Sequence, residues 1–389
     1  MTAISQMVDD SEVRRVIRAA IEAGLETGVH VAAYLGGRLV LDVWDGLADP
    51  ETGRAVGPDT LFNVYSVSKA VAATALHIQA ERGLVDYDTL IGAYWPEFAV
   101  NGKERATVRH ALTHRAGVPQ MPSDMTPARM CDWDALAADI AALPALAPPG
   151  EKTLYESMTF GWIVGEIVRR TDPSRRDFRQ FLLDEICTPL GLKDLWFGIP
   201  DAAEWRVAKM SNRNAGDSPP PLTTLFMQSM PPAVALIPEV FELPNVRRAC
   251  IPAVGGIFNA RDEARFWAML AQGGELDGVR LLSQERVASF QTLRARSDEP
   301  DPVMFGVPLP ISNGGYWLGG PRVFGDRAIW HPGAGGSIGW ADPDRELAVA
   351  ICHNRMFTAR KIEDDPIYPI SAAIIKALGL ENKKWPAHT

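Results

Sequence analysis

The first eighty residues alternate between helix-like and strand-like patterns of apolar positions. Apolar residues three and four places apart predict an amphipathic helix that ends near Leu25. Two strand-like runs follow within residues 29–49, and the pair Gly36-Gly37 between them is typical of a hairpin turn. The run AVAATALHIQA (70–80) is apolar on nearly every side, which predicts a buried helix stopped at Gly83.

The pattern changes twice further along the chain. Residues 84–245 are rich in helix periodicity and in loops broken by proline, whereas residues 327–355 read as strands joined by turns before a last helix. This order predicts an α/β fold of the α+β type, in which an antiparallel sheet from both ends of the chain is flanked by helices. We expect a sheet domain of residues 1–83 and 246–389, with 84–245 inserted as a mostly helical domain and the active site in the cleft between them.

Composition and charge narrow the classes of function. A chain of 389 residues with 47% apolar content can bury a large core, and a net charge of −9 argues against nucleic acid or an anionic membrane as partner. We find no signal peptide and no run of about 20 apolar residues, so we expect a cytoplasmic protein. The four cysteines are far apart, and neither a metal site nor a cofactor is implied.

The stretch NVYSVSKAVA (63–72) carries the first candidate chemistry. Ser66 and Lys69 are three residues apart, so a helix would place hydroxyl and amine on one face. Burial favours a neutral amine, and a neutral lysine beside a serine can activate it as a nucleophile. For the tetrapeptide by itself, a capping serine followed by a surface lysine is the more common outcome.

Two other segments have residues of the kind such a site needs. Tyr155 lies in the loop before FGWIVGEIV and could shuttle the proton that Lys69 shares with Ser66, although most single tyrosines are simply buried. The segment HPGAGG (331–336) could bring a backbone N–H close to a ligand as an oxyanion donor beside that of Ser66, or it is a plain hairpin turn.

In this order, Ser-x-x-Lys, Tyr-x-Ser and His-x-Gly resemble the serine β-lactamase and penicillin-binding-protein superfamily, most closely the class C-like branch that includes the family VIII carboxylesterases. Stretches along nearly the whole chain agree with the resemblance: TVRHALTHRAGVP, APPGEKTLYES, ICTPLGLKDLWFG, PAVGGIFNARDEARF and GSIGWADPDRELAVAICHNR. The resemblance implies a helical domain against an α/β domain with an antiparallel sheet, and a covalent acyl-enzyme.

Residue by residue, the resemblance implies a nucleophile at Ser66, with Lys69 and Tyr155 as its proton-transfer partners. It places the N–H groups of Ser66 and Ala334 in the oxyanion hole.

The resemblance also implies substrate-binding positions. These are Ser157 in the second motif, Tyr-x-Ser, and His331 and Gly333 in the third motif, His-x-Gly. Ser157 replaces an asparagine common in lactamases, and His331-Pro332 replaces lysine followed by threonine or serine.

Three other patterns have weaker claims to function. GGSIG (335–339) matches the Gly-x-Ser-x-Gly elbow of other hydrolases, but strands rather than a helix are predicted after Ser337. His110 and His114 have the spacing of zinc ligands on a helix, without the adjacent glutamate. Methionine-rich loops at 119–130 and 223–232 are interpreted as core or as an apolar wall for acyl and alcohol groups.

We therefore predict a serine hydrolase that cleaves small-molecule carboxylic esters through an acyl-enzyme on Ser66. A β-lactamase, a D-amino-acid peptidase and an acyltransferase are the alternatives with the same chemistry. A non-catalytic binding protein on the same fold is the alternative of another class.

Overall fold

The computed structural model of the protein describes residues 7–212, 224–320, 323–356 and 365–381. The strands are numbered in chain order: β1 (Gly28–Leu35), β2 (Arg38–Asp49), β3 (Arg54–Ala55), β4 (Phe62–Tyr65), β5 (Leu195–Phe197), β6 (Ser211–Asn212), β7 (Gly256–Phe258), β8 (Glu275–Leu276), β9 (Val279–Arg280), β10 (Pro300–Asp301), β11 (Val307–Pro308), β12 (Trp317–Leu318), β13 (Ile329–Pro332), β14 (Ile338–Asp342), β15 (Leu347–His353) and β16 (Arg355–Met356).

The helices are numbered in the same way: α1 (Ser11–Glu22), α2 (Ser68–Glu81), α3 (Val108–Leu112), α4 (Pro127–Met130), α5 (Trp133–Ala142), α6 (Thr159–Thr171), α7 (Phe178–Leu182), α8 (Thr188–Leu190), α9 (Thr224–Ser229), α10 (Pro238–Phe241), α11 (Pro244–Arg248), α12 (Ala260–Ala271), α13 (Gln284–Ser289) and α14 (Ile367–Ala377). Among the described residues, no helix combines the length and apolarity that crossing a membrane requires.

The main sheet joins the two ends of the chain. Within the described ranges it has seven strands in the order β12-β13-β14-β15-β1-β2-β3, and the pairs along it are antiparallel. β1 and β2 form the predicted hairpin, in which Gly36 and Gly37 adopt positive φ angles of 55° and 73°. The predicted fold class, an antiparallel sheet built from both termini, is therefore confirmed.

Helices cover both faces of this sheet. On one face α1 packs against α14, and Val13 and Ile17 lie in a core with Val31 and Ile374. On the other face α12 packs on β1, β14 and β15. The strand β1 is accordingly buried along nearly its whole length.

The central region is mostly helical, but it also contains short strands that the sequence patterns did not predict. β5 pairs with β7, and β7 pairs with β4, in a small antiparallel sheet. α2 lies against α6 of the helical region, so Ser66 and Lys69 face segments from both parts of the chain. The exact domain boundaries at residues 83/84 and 245/246 stay a prediction.

Candidate active site

Ser66 is positioned by a sharp turn between strand and helix. It follows β4 directly, and α2 begins two residues later. Tyr65 at the turn has a φ of 48°, a conformation that costs energy for a large side chain. The backbone N–H of Lys69 donates to the carbonyl of Ser66 at 3.0 Å, so Ser66 opens the turn that leads into the helix. Its side chain is only partly buried and can meet a substrate.

Lys69 is completely buried on α2, whose residues Ser68 to Ala80 are all buried as predicted. Its Nζ lies 3.0 Å from Ser66 Oγ, 2.8 Å from the carbonyl oxygen of Ser157 and 3.2 Å from that of Ala253. A neutral amine has two protons for the two carbonyls and a lone pair for the serine hydroxyl.

Burial lowers the pKa of Lys69 to about 7, against a smaller raising effect of the nearby Glu156. The arrangement can therefore take a proton from Ser66 near neutral pH.

Tyr155 approaches Ser66 from the other side. Burial raises the pKa of the Tyr155 phenol well above its ordinary value, while a hydrogen bond with the Ser66 side chain lowers it. Lys69 Nζ lies 5.2 Å from the centre of the Tyr155 ring. The three side chains that the sequence predicted to act together are thus brought together around one hydroxyl.

The loop that carries Tyr155 is fixed by residues that the sequence analysis missed. The Asp301 carboxylate, which is fully buried, accepts a hydrogen bond from the Tyr155 backbone N–H at 2.8 Å. The ring of His114 lies 4.4 Å from the Tyr155 ring, and its Nδ1 accepts a hydrogen bond from the Glu156 N–H at 3.0 Å. Burial raises the pKa of the Glu156 carboxyl well above its usual range.

We expect kcat/KM for ester hydrolysis to fall as the pH drops through about 7, because protonated Lys69 can no longer accept the Ser66 proton. The pH dependence of hydrolysis of a neutral aryl ester measures this. Lys103 is a matched control: it is also buried, and burial lowers its pKa to about 8, but it bonds the carbonyls of Val100 and Leu143. Lys103→Met should leave the acid limb in place, and a wild-type rate constant unchanged across neutrality would contradict the assignment.

The third motif lies on β13 and the turn after it. The ring of His331 is fully buried, its Nδ1 is 2.8 Å from the carbonyl oxygen of Pro332, and its Nε2 has no partner among the described residues. Burial, together with the charge of Lys69, lowers the pKa of His331 to about 3. His331 is therefore neutral at pH 7, with its free nitrogen an acceptor.

Gly333 lets this turn approach the strand that leads to the serine. A Cβ at Gly333 would lie only 2.1 Å from the carbonyl oxygen of Val64, two residues before Ser66. Its N–H donates to the Ser337 carbonyl at 2.7 Å, which closes the turn around Ala334. The turn that contains Ala334 therefore lies beside the strand that leads to Ser66, and the role of the Ala334 N–H as an oxyanion donor stays a prediction.

Ser157 contributes differently from what a substrate-binding role suggests. Its carbonyl holds Lys69, while its hydroxyl lies 2.9 Å from the hydroxyl of Ser229 on α9. Ser157 is 4% exposed, and both of these contacts help to hold the site together. A contact with substrate stays a prediction.

The competing serine motif is part of the sheet, as expected. Ser337 is buried, accepts a hydrogen bond from the N–H of His353 at 3.2 Å, and is followed by β14 rather than by a helix. Ser337 does not lie at the start of a helix. Its hydroxyl bonds the carbonyl and the N–H of the His353 backbone, and neither partner is a basic side chain.

The two histidines with zinc-like spacing have separate structural roles. His110 caps α3 by accepting from the Thr107 N–H at 3.2 Å, and His114 follows the helix with a φ of 56° and supports the Tyr155 loop. Among the described residues, no group of three or more potential ligands is arranged to hold a metal ion.

The predicted methionine-rich wall is only partly present. Met121, Met125 and Met130 are buried in the main core, so for loop 119–130 the structure supports the first of the two interpretations, core, and not an apolar wall. In the second loop, 223–232, the structure describes the residues from Thr224 onward. There Leu225 packs against a separate apolar cluster that contains Tyr155. Met304 and Trp317 join the same cluster and are also only partly buried.

A partly exposed serine between a buried lysine and a tyrosine, at the start of a helix beside an antiparallel sheet, defines a β-lactamase-fold hydrolase. The chain belongs to the Beta-lactamase family, whose sequence model matches residues 13–373. The family resemblance inferred from the motifs is thereby confirmed.

Known relatives include esterases and a penicillin-binding-protein homologue. The esterase/beta-lactamase LipL of Mycobacterium tuberculosis is 33% identical, over 87% of this chain and 79% of the relative. The crystal structure of a family VIII carboxylesterase superposes with a TM-score of 0.86 at 30% identity, covering 96% of this chain and 99% of the other. A penicillin-binding-protein homologue from Caulobacter crescentus gives a TM-score of 0.84 at 32% identity, with the same coverage.

Proposed function

We propose that the protein hydrolyses small-molecule carboxylic esters through an acyl-enzyme on Ser66. Lys69 and Tyr155 together take the proton of the serine hydroxyl while Ser66 Oγ attacks the ester carbonyl. Tyr155 returns the proton to the leaving alcohol, and the acyl group remains on Ser66. Tyr155 then activates a water molecule, whose attack releases the acid and restores the serine.

The observation that carries this proposal is the position of Ser66 Oγ, 3.0 Å from an amine with its pKa near 7 and hydrogen-bonded to a tyrosine. A serine hydroxyl is a weak nucleophile unless a neighbouring base removes its proton. The N–H groups of Ser66 and Ala334 are the proposed donors to the oxyanion that forms during attack.

The third motif favours a neutral substrate over an anionic one. Lactams and peptidase substrates carry a carboxylate, which would need a cation or a hydrogen-bond donor. His331 is neutral and already bonds the Pro332 carbonyl through Nδ1, and Pro332 has neither an N–H nor a hydroxyl. The third motif, with His331 and Gly333, thus offers no cation to a substrate carboxylate, which supports an uncharged ester as the substrate.

The surroundings of Tyr155 and the relatives support the same choice. Leu225, Met304 and Trp317 offer partly exposed apolar surface next to the tyrosine, suited to an acyl or alcohol group. One relative is named an esterase/beta-lactamase, and one similar structure is named a carboxylesterase.

Side-by-side kinetics on a short-chain aryl ester and a chromogenic cephalosporin test the proposed substrate class. Each contact that the lactam carboxylate lacks costs about 1–3 kcal/mol, so kcat/KM for the ester should be higher by about two orders of magnitude or more. Comparable efficiency on the two compounds would favour a β-lactamase instead.

A further inference from the structure

A buried ion pair lies under the turn that carries Ala334 and takes no part in the mechanism above. His353, the last residue of β15, has its Nδ1 2.9 Å from Oε1 and 2.8 Å from Oε2 of Glu26, in the loop between α1 and β1. The side chains of His353 and Glu26 are 2% and 0% exposed. Burying charges to this extent costs desolvation free energy unless they are paired, so each of the two side chains depends on the other.

The imidazole of His353 packs directly on the glycine-rich turn of residues 333–337. A Cβ at Gly336 would lie 2.9 Å from its Cε1 and 3.0 Å from its Nε2, so only glycine leaves room for the ring. The carbonyl of Gly335 interacts with the ring as a hydrogen-bond acceptor. The backbone N–H of His353 also donates to Ser337 Oγ at 3.2 Å, at the end of the turn.

Two backbone hydrogen bonds close the turn from within. Gly333 N–H donates to the Ser337 carbonyl at 2.7 Å, and Gly336 N–H donates to the Gly333 carbonyl at 3.1 Å. Gly335 and Gly336 have φ angles of 88° and 118°, so neither residue restricts the backbone as a side chain would. The ring of His353 therefore supplies a rigid surface that the glycines lack.

We propose that His353, held by Glu26, is a positioning residue that fixes the turn 333–337 and thereby aims the Ala334 N–H at the oxyanion. This inference rests on the proposed function, because it needs Ala334 as an oxyanion donor. His353 acts through the backbone of the turn and does not touch the reacting atoms.

The protonated ring serves this role better than the neutral one. Imidazolium donates from both nitrogens, to Glu26 and toward the Gly335 carbonyl, whereas neutral histidine has one proton and keeps it facing the carboxylate. Burial opposes the charge, but Glu26, Asp365 and the Gly335 carbonyl together raise the pKa of His353 above its ordinary 6.5. Rising pH should therefore loosen the turn and add a descending limb to kcat on the alkaline side.

The test is Glu26→Gln, which keeps the shape of the side chain and removes its charge. We expect kcat for an aryl ester to fall about tenfold, less than the 10²–10³ that loss of an oxyanion donor costs, with KM little changed. The descending limb should move to lower pH, because without Glu26 burial lowers the pKa of His353.

Asp42→Asn is the matched control. Asp42 is the carboxylate partner of another buried histidine of the same sheet, His30, at 2.8 Å, but that pair joins β1 to β2. This variant should keep kcat and its alkaline limb, even if it unfolds at a lower temperature. If Glu26→Gln does not fold, His353→Gln replaces it and should lose the alkaline limb altogether.

The outcomes separate this inference from the proposed function. A variant with wild-type kcat and an unmoved alkaline limb overturns the role of His353, even when Ser66→Ala is inactive. An equal loss of kcat in Asp42→Asn also overturns it, since the effect would then be general destabilisation.

Discussion

Replacement of Ser66 by alanine is expected to abolish ester hydrolysis, lowering kcat by about four orders of magnitude or more. The reason is geometric: Ser66 Oγ is the atom that lies 3.0 Å from Lys69 Nζ and is hydrogen-bonded to Tyr155. Without it the site retains only its oxyanion donors and its binding surface. Steady-state kinetics on an aryl ester, together with a folding check by circular dichroism, measures the effect.

Ser337→Ala is the matched control, because Ser337 occupies the only other motif resembling a nucleophile that the sequence analysis singled out. Its hydroxyl is engaged with the backbone of His353, so this variant should stay folded and largely active. Loss of activity in the Ser337 variant with retention in the Ser66 variant would reverse the assignment.

Lys69→Ala and Tyr155→Phe should each lower kcat by about a hundredfold or more, since each removes one part of a shared proton path. Lys69 and Tyr155 flank the same hydroxyl, so removing the second after the first should cost little more. Kinetics of the two single variants and the double variant give the coupling between them.

A double variant whose loss equals the product of the single losses would contradict a shared path. Lys103→Met controls for the removal of a buried lysine, because Lys103 contacts the carbonyls of Val100 and Leu143 instead of Ser66. It should leave kcat near the wild-type value in protein that remains folded.

The parts of the fold that local patterns encode could be predicted from the sequence. The β1–β2 hairpin follows from two strand-like runs around Gly36-Gly37, and the burial of α2 follows from its apolar run. The Ser66–Lys69 contact is also local, because residues three positions apart at the entrance to a helix lie on the same face.

The supports of the site could not be predicted in this way, because they come from distant segments. Asp301 reaches the Tyr155 N–H across 146 positions of sequence, and Ala253 reaches Lys69 across 184. No periodicity relates such residues, and only the folded backbone brings them together. The same reason explains why the pairing of β5, which lies in the region predicted as helical, with the distant strand β7 was missed.

The methionines of loop 119–130 show a choice that the sequence left open. Core and an apolar wall were both possible, and Met121, Met125 and Met130 fill the main core. An unbranched, adaptable side chain fits irregular gaps as well as it fits substrates, so residue type did not decide between the two roles.

Covalent labelling of the nucleophile tests the central claim most directly. The protein is incubated with an aryl phosphonate that reacts with activated serines, and its intact mass and peptide map are measured by mass spectrometry. We expect one adduct, on Ser66, that is absent from Ser66→Ala and still forms on Ser337→Ala. A protein that hydrolyses the aryl ester yet carries its adduct on another residue, or none at all, would contradict a covalent mechanism on Ser66.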